Sequence, residues 1–296
     1  MHTQNITVQH IKQQSAQFAQ TLAVPAFWLT DWLLYVLNQP SLFLITDADY
    51  PLSQAELEQF YAGVSEMRQG TPLAYLTGHQ EFWSLNFKVN RHTLIPRPDT
   101  EVLVEEVLSW ISQHSFDNQA KRLLDLGTGS GCIAISLAHE LSLSANNDSA
   151  NWHVIAVDVS AEALKVAQHN AAMNKVQNIE CLQSSWYESL NTDDAYKYEV
   201  IVSNPPYIDE ADEHLVRLHA EPISALSSPN QGLADIEHIV THAPRYLHLG
   251  GLLAIEHGYN QGLAVRQFFI EHGFESIQTV QDLGGRDRVT LGQRPK

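Results

Sequence analysis

Basic side chains are scarce in this sequence: 17 lysines and arginines stand against 34 aspartates and glutamates among 296 residues, a formal net charge of −17. A surface of that sign repels phosphate backbones, which disfavours a chain whose main task is to coat or scan nucleic acid. No basic run occurs to offset the average. Cysteine is nearly absent. Cys132 and Cys181 are the two present, too few for a disulfide framework and without the spacing of a metal site, which fits a reducing compartment. The 15 histidines are scattered, with no His-Glu-x-x-His arrangement, so no metal is assigned. Long apolar runs are missing as well. Nothing approaches the ~20 residues of a membrane span, and Met1-His2-Thr3-Gln4 lacks the basic-then-apolar pattern of a leader. Together these absences point to a soluble, cytoplasmic protein.

What is present is ordinary globular composition, long enough for one large domain or two unequal ones. Residues 1–78 carry helical periodicity, with Ile6, Val8, Ile11, Phe18 and Leu22 near one face and a denser apolar stretch from Phe27 to Val36. Ser53 with Glu56 three residues on is a capping box. A small helical bundle is expected there. Residues 79–97 change to alternation, Phe82 to Val89, with Asn90-Arg91 as a turn, and read as a β-hairpin joining two domains. Pro96 and Pro98 then interrupt regular structure, and Asp99-Thr100 can start a helix carrying Val102 to Ile111.

The second domain, 98–296, alternates short apolar strands with helical stretches from about 121 onward. Strands are expected at 122–126, 153–157, 179–182, 200–203 and 251–256, helices at 131–142, 160–174, 233–247 and 260–272. The stretches 274–280 and 287–291 are placed to pair antiparallel. This is the sequence form of an α/β fold, a doubly wound, mostly parallel seven-stranded sheet. The polar piece from Ser142 to Asn151 reads as a surface loop.

Two motifs carry chemistry. Leu126 is followed by Gly127-Thr128-Gly129-Ser130-Gly131 between a strand and a helix, a loop that turns sharply and lets backbone approach a ligand. The dinucleotide fingerprint would want its third glycine at 132, where Cys132 stands, and no Gly-Lys-Ser/Thr follows for a Walker loop. The next strand ends in Asp158, placed to accept hydrogen bonds from a pair of ribose hydroxyls. The bland alternative for Asp158 is a helix N-cap ahead of Ser160-Ala161-Glu162. The second motif, Asn204-Pro205-Pro206-Tyr207, follows an apolar strand directly. Two prolines stiffen the chain and leave carbonyls dominant. The Asn204 side-chain oxygen and the Pro205 carbonyl are two acceptors suited to a planar –NH₂ group. Tyr207 can stack on that group and attract a sulfonium by cation–π interaction, worth ~0.5–2 kcal/mol. A methyl transferase acting on a planar nitrogen is the reading that joins the two motifs, against a plain proline-rich turn.

The chain resembles the glutamine N5-methyltransferases of bacterial peptide chain release factors, a class I group with an Asn-Pro-Pro-Tyr loop. The likeness spans nearly its whole length. It is carried by Pro72 to Gly78, Glu81-Phe82-Trp83, Ile95 to Glu101, the glycine loop, Val202 to Ile208, Glu221-Pro222, Glu256-His257-Gly258 and Arg286 to Gly292. The resemblance implies a Rossmann-like fold and S-adenosyl-L-methionine held by Gly127, Thr128, Gly129, Ser130, Gly131 and Asp158, with Trp186 beside the adenine. It also implies that Asn204, Pro205, Pro206 and Tyr207 hold the glutamine amide of a Gly-Gly-Gln loop, Asn204 reaching the cofactor too. The N-terminal helices would grip the release factor, and the methylation would tune translation termination. The family commonly has Asp before Trp186; here it is Ser185, and the segment between Tyr207 and Glu221 is shorter than usual.

Two other substrates fit the tetrapeptide: a glutamine on a large-subunit ribosomal protein, and an exocyclic amine, adenine N6 or guanine N2, in nucleic acid. The run Arg97 to Glu101 argues against the first and the net charge against the second. A non-catalytic adenosine-binding protein is disfavoured by the intact tetrapeptide. A monomer without metal or stable nucleic-acid partner is expected. Arg97 and Glu101 read as braces, Trp32 and Trp83 as core or interface aromatics, and Glu256-His257 as a structural hydrogen-bonding pair.

Overall fold

The computed structural model describes residues 6–115, 121–143 and 152–296. The readings of Met1 to Gln4 and of most of the Ser142–Asn151 loop therefore lie outside the described residues. The chain forms two compact units, Met1–Gly78 and His79–Lys296.

The first unit is helical. Helix α1 (Val8–Leu22) starts at Thr7, whose hydroxyl accepts the His10 N–H, and α2 (Ala26–Leu37) follows Pro25. After the single turn α3 (Phe43–Thr46), α4 (Gln54–Arg68) opens on the capping box, with the Ser53 N–H donating to Glu56 Oε2 at 2.7 Å. Helix α5 (Leu73–Thr77) closes the unit. Ile11, Leu29, Leu33 and Phe60 are fully buried in its core, and the Trp32 indole N–H donates to the Phe60 carbonyl at 3.0 Å.

The second unit begins with a hairpin, β1 (His79–Phe82) and β2 (Leu85–Lys88). Its turn is Trp83-Ser84, not Asn90-Arg91, which lies beyond β2. Both turn residues are left-handed, at φ +52° and +57°, the geometry of a two-residue hairpin turn that glycine or asparagine normally fills. Tertiary contacts hold it instead. The Trp83 N–H donates to Glu101 Oε1 at 2.7 Å and its indole N–H to Glu140 Oε1 at 3.0 Å. Phe82 and Phe87 are buried in the sheet core, so the hairpin is part of the second unit.

Helix α6 (Glu101–Gln113) leads to β3 (Lys121–Leu126), α7 (Cys132–Leu143), β4 (Trp152–Asp158), α8 (Ala161–Met173), β5 (Ile179–Gln183) and β6 (Tyr198–Ser203). A two-residue parallel ladder, β7 (Ile208–Asp209) with β8 (Ser227–Ser228), and the irregular turn α9 (Pro229–Gly232) come next. Then follow α10 (Ala234–His242), β9 (Leu247–Glu256), α11 (Gly262–Glu271), β10 (Glu275–Gln281) and β11 (Asp287–Gln293). The helix expected over 233–247 ends at His242 because Pro244 lacks an N–H to continue it, and β9 starts correspondingly early.

Seven strands form one sheet in the order β10-β11-β9-β6-β3-β4-β5, parallel except that β11 runs antiparallel to both neighbours. Successive strand residues face opposite sides. Leu123, Val154, Val200 and Leu252 pack with α6 and α7, whereas Leu124, Ile155, Ile201 and Leu253 pack with α10 and α11. Both faces are thus buried, as a doubly wound sheet requires. The helices after β3 and β6 lie on opposite faces, which opens a crevice at the carboxyl ends of those two adjacent strands. Among the described residues no helix is long and apolar enough to cross a membrane.

In the helical unit a Cβ on Gly63 would overlap the Trp32 ring. Gly63→Ala should therefore lower stability by about 1–3 kcal/mol through overpacking, read as a lower thermal midpoint with near-native far-UV circular dichroism.

Candidate active site

Strand β3 hands directly into the glycine loop. Gly127 and Thr128 both donate N–H groups to the Val157 carbonyl, at 2.9 and 2.8 Å, so the loop leans over the end of β4. Gly131 sits at φ +82° with Ile135 and Ala167 so close that a Cβ would collide, which is why the third glycine stands there. Asp158 braces the loop from the next strand end: Oδ2 accepts the Gly129 N–H and Oδ1 the Ser160 N–H, both at 2.8 Å. The N-cap of α8 is Ser160, whose hydroxyl accepts the Ala163 N–H at 3.2 Å. Asp158 is therefore not the capping residue. A carboxylate has about four acceptor positions, so two remain for a ligand. Burial raises the Asp158 pKa, against the lowering pull of the backbone N–H groups.

These groups line a cavity of about 490 Å³. Gly127, Thr128, Gly129, Ser130, Asp158, Trp186, Asn204 and Pro206 are all on its wall, together with Arg91, His92, Arg97, Thr100, Ser184 and Ser185. Gly131, Pro205 and Tyr207 are not. Trp186 adopts φ +48°, and its carbonyl accepts the Ser184 hydroxyl at 2.9 Å; its ring lies against Gly127. The Thr128 hydroxyl is turned inward, donating to Asp125 Oδ2 at 2.7 Å. What Thr128 offers the cavity is therefore not a free hydroxyl donor.

The tetrapeptide leaves β6 at the same edge. Ser203 ties the strand end to the Leu126 carbonyl at 2.7 Å. Asn204 Nδ2 donates to Thr100 Oγ1 at 3.3 Å, which leaves Asn204 Oδ1 as the acceptor end. Tyr207 is held at both ends. Its hydroxyl donates to Glu256 Oε1 at 3.2 Å, and its carbonyl accepts from Gln261 Nε2 at 2.9 Å. Gln261 also binds the Gln231 carbonyl and the Gly258 N–H. Gly232, at φ +79°, lies so close to the Tyr207 carbonyl that no side chain fits. Arg97 pairs with Glu221, which also accepts the Ile95 N–H at 3.0 Å, joining the segment before α6 to the one after the tetrapeptide.

Of three further polar groups at this edge, Asp125 and Gln261 have no role assigned from the sequence, and Glu256 is expected there only as half of a structural hydrogen-bonding pair. Asp125 is fully buried, its Oδ1 has no hydrogen-bond partner, and burial pushes its carboxyl up to about 7. Glu256 is likewise buried and pushed to about 7. Gln261, 7% exposed, clamps three backbone segments. Asp125 and Glu256 stand at strand ends beside recognisable motifs, a signal that was available; Gln261 has none.

Two family models match: a methyltransferase small domain over residues 100–285 and a PrmC N-terminal domain over 11–78. The release factor glutamine methyltransferase of Aliivibrio fischeri is 43% identical over 88% of this chain and 87% of its own. That of Vibrio cholerae is 44% identical over 91% and 90%. The chain belongs to this family. For such a methyltransferase the cofactor is S-adenosylmethionine, and the cavity fits it. The volume lies within the roughly 300–1,000 Å³ of small-molecule sites, and one wall joins a carboxylate with spare acceptor positions to an indole over a glycine turn. The fold itself extends further: the hMettl16 catalytic domain, solved with MAT2A 3'UTR hairpin 1, is 16% identical with a TM-score of 0.52, covering 72% of this chain and 76% of that one.

Between the ordinary Asp range and about pH 7 the folded chain keeps a proton on Asp125 that the unfolded chain releases. Stability therefore falls as pH rises across that window and levels off above it. Asp125→Asn should flatten this slope, measured as urea midpoints at about pH 5 and about pH 8.

Proposed function

We propose that this enzyme transfers the methyl group of S-adenosylmethionine to the side-chain amide nitrogen (N5) of the glutamine in the Gly-Gly-Gln loop of peptide chain release factors. The observation that carries the proposal is Asn204, on the wall of the Asp158 cavity with its Nδ2 end anchored to Thr100 by one hydrogen bond. Its Oδ1 has acceptor capacity to offer a donor ligand, and a primary amide is such a donor. The naming of the family's members supports the release factor as acceptor.

In this reading Gly127, Gly129 and Ser130 present the loop edge to the cofactor, with Thr128 and Gly131 setting its shape. Asp158 takes the ribose hydroxyls, and Trp186, with Ser184 and Ser185, flanks the adenine. Ser185 stands where a carboxylate would accept the adenine amino group more strongly. Bound there, S-adenosylmethionine supplies an electrophilic methyl on a sulfonium. Asn204 Oδ1 and the Pro205 carbonyl accept the two amide hydrogens and orient the nitrogen toward it. Pro205 and Pro206 keep that carbonyl in place without competing donors. Tyr207 packs the acceptor side and is fixed by Glu256 and Gln261. Rate comes from positioning and fixed dipoles rather than from a strong base, and the amide proton leaves to water after transfer. Exposed Phe27, Leu42 and Ile45 on the helical unit give the release factor apolar surface to dock against.

Labelled S-adenosylmethionine offered with unmodified release factor, ribosomal proteins, DNA or ribosomal RNA tests the assignment. Label is expected on the Gly-Gly-Gln glutamine; label confined to another acceptor overturns the substrate. Asn204→Ala should cut transfer by ~10²–10³-fold, the scale of losing one aligned polar group, with cofactor Kd nearly unchanged. Asp158→Ala should instead raise the cofactor Kd by about 10-fold or more, the loss of charge-assisted hydrogen bonds, read by calorimetric titration.

A further inference from the structure

Helix α8 lies behind the glycine loop, with Ala167 against Gly131. One turn further on the same face stands Asn170, fully buried. Its Nδ2 donates to the Ser130 carbonyl at 2.8 Å and to the Lys88 carbonyl at 3.0 Å. Its Oδ1 accepts the Lys88 N–H at 2.8 Å. The two amide hydrogens match the two carbonyls. Asn170 thus pairs with Lys88, the last residue of β2, as a neighbouring strand would, and with the glycine loop at the same time.

Both partners lead into the cavity wall. Ser130 is part of that wall itself, and Arg91, His92, Thr93 and Leu94, shortly after Lys88, are too. The turn between them holds its own shape: the His92 N–H donates to Asn90 Oδ1 at 2.9 Å and the Thr93 N–H to the Asn90 carbonyl at 3.0 Å. The far end of this segment is tied where Ile95 donates to Glu221; the near end is tied at Lys88. A shift of either wall segment would strand polar groups in a buried place, where water does not replace the lost partner. We propose that Asn170 is a positioning residue for the cofactor: through Ser130 and Lys88 it sets the separation of the glycine loop from segment 91–94, and so how closely the cavity fits S-adenosylmethionine. This rests on the reading of the Asp158 cavity as the cofactor site.

The acceptor loop is held by other groups, Asn204 by Thr100 and Tyr207 by Glu256 and Gln261. The lock therefore bears on cofactor binding rather than on the transfer step. Asn174, one turn along α8, provides the comparison. Its Nδ2 donates to the Asn86 carbonyl at 2.9 Å and to the Asn170 carbonyl at 3.0 Å, tying the helix to the same hairpin but not to the glycine loop.

The test titrates S-adenosylmethionine calorimetrically into wild type, Asn170→Asp, Asn170→Ala, Asn174→Ala and Asp158→Ala, each checked for native circular dichroism, alongside steady-state kinetics on release factor. Asn170→Asp keeps the size and the acceptor for Lys88 but sets an oxygen against the two carbonyls. Its cofactor Kd and cofactor KM should rise about 10-fold, the scale of one lost buried hydrogen bond. Its kcat at saturating cofactor and its KM for release factor should stay near wild type. Asn170→Ala should weaken cofactor at least as much, and Asn174→Ala should lower the thermal midpoint with cofactor Kd unchanged. In the wild type, cofactor should slow hydrogen exchange at the Lys88 amide, since it binds the locked form; this readout needs no variant to fold. The proposal is overturned if folded Asn170→Asp binds cofactor as wild type does, or if its kcat falls while cofactor Kd stays. It is also overturned if Asn174→Ala raises Kd equally, or if cofactor leaves Lys88 exchange unchanged. Unaltered cofactor Kd in Asp158→Ala sinks the cavity reading, and the positioning role with it. Weakened binding in Asp158→Ala with indifferent Asn170 variants sinks the positioning role alone.

Discussion

Leu126 pairs with Val157 on one side and with Ser203 on the other, and Ser203 pairs in turn with Ile255. These parallel contacts bring four strand ends to one edge. The next residues along each strand are Gly127, Asp158, Asn204 and Glu256. Nothing local brings those four together, since they come from segments separated by tens of residues. The apolar alternation of β3, β4, β6 and β9 does so by committing each strand to one register against both helix layers. A one-residue slip would turn Leu124 and Ile155 to the wrong layer and carry Asp158 away from the glycine loop.

The same edge concentrates groups that the interior does not favour. Asp125 and Glu256 are buried acids lifted to about 7, each with one oxygen lacking a partner. Apolar replacements of similar size would remove that desolvation cost, as buried charges elsewhere show. At this edge the acids fix the direction of hydroxyls instead. Asp125 draws the Thr128 proton away from the cavity, and Glu256 holds Tyr207. Strain is stored nearby as well. Trp186, Asn230 and Gln231 all take left-handed φ without being glycine, and Gln261 ties the last of these to the Tyr207 carbonyl.

Much of this was legible in the residues. Strand and helix alternation after Arg122 specified the sheet, its antiparallel end included, because both-face burial leaves near-continuous apolar runs. Gly127 to Gly131, Asp158 and Asn204 could be placed because their chemistry is tied to strand ends. The turn of the first hairpin could not be placed. Trp83-Ser84 has no turn signal of its own and is set by Glu101 and Glu140, distant in sequence. The extent of α10 was misjudged because apolar Tyr246 and Leu247 continue the helical period beyond Pro244, while their partners belong to the sheet and its inner layer. Gln261 was invisible for the same reason: its three bonds reach backbone N–H and C=O groups, which leave no mark in sequence.

Strand β11 runs against its neighbours, so its first residues rather than its last reach the cavity edge. That direction delivers Arg288 to a cluster otherwise made of Asp99, Asp282 and Glu256. These acids, far apart in the sequence, thus share a counter-charge that arrives on the strand running against its neighbours. Reversing one strand's direction lets a residue from the start of a strand complete an edge otherwise built from strand ends.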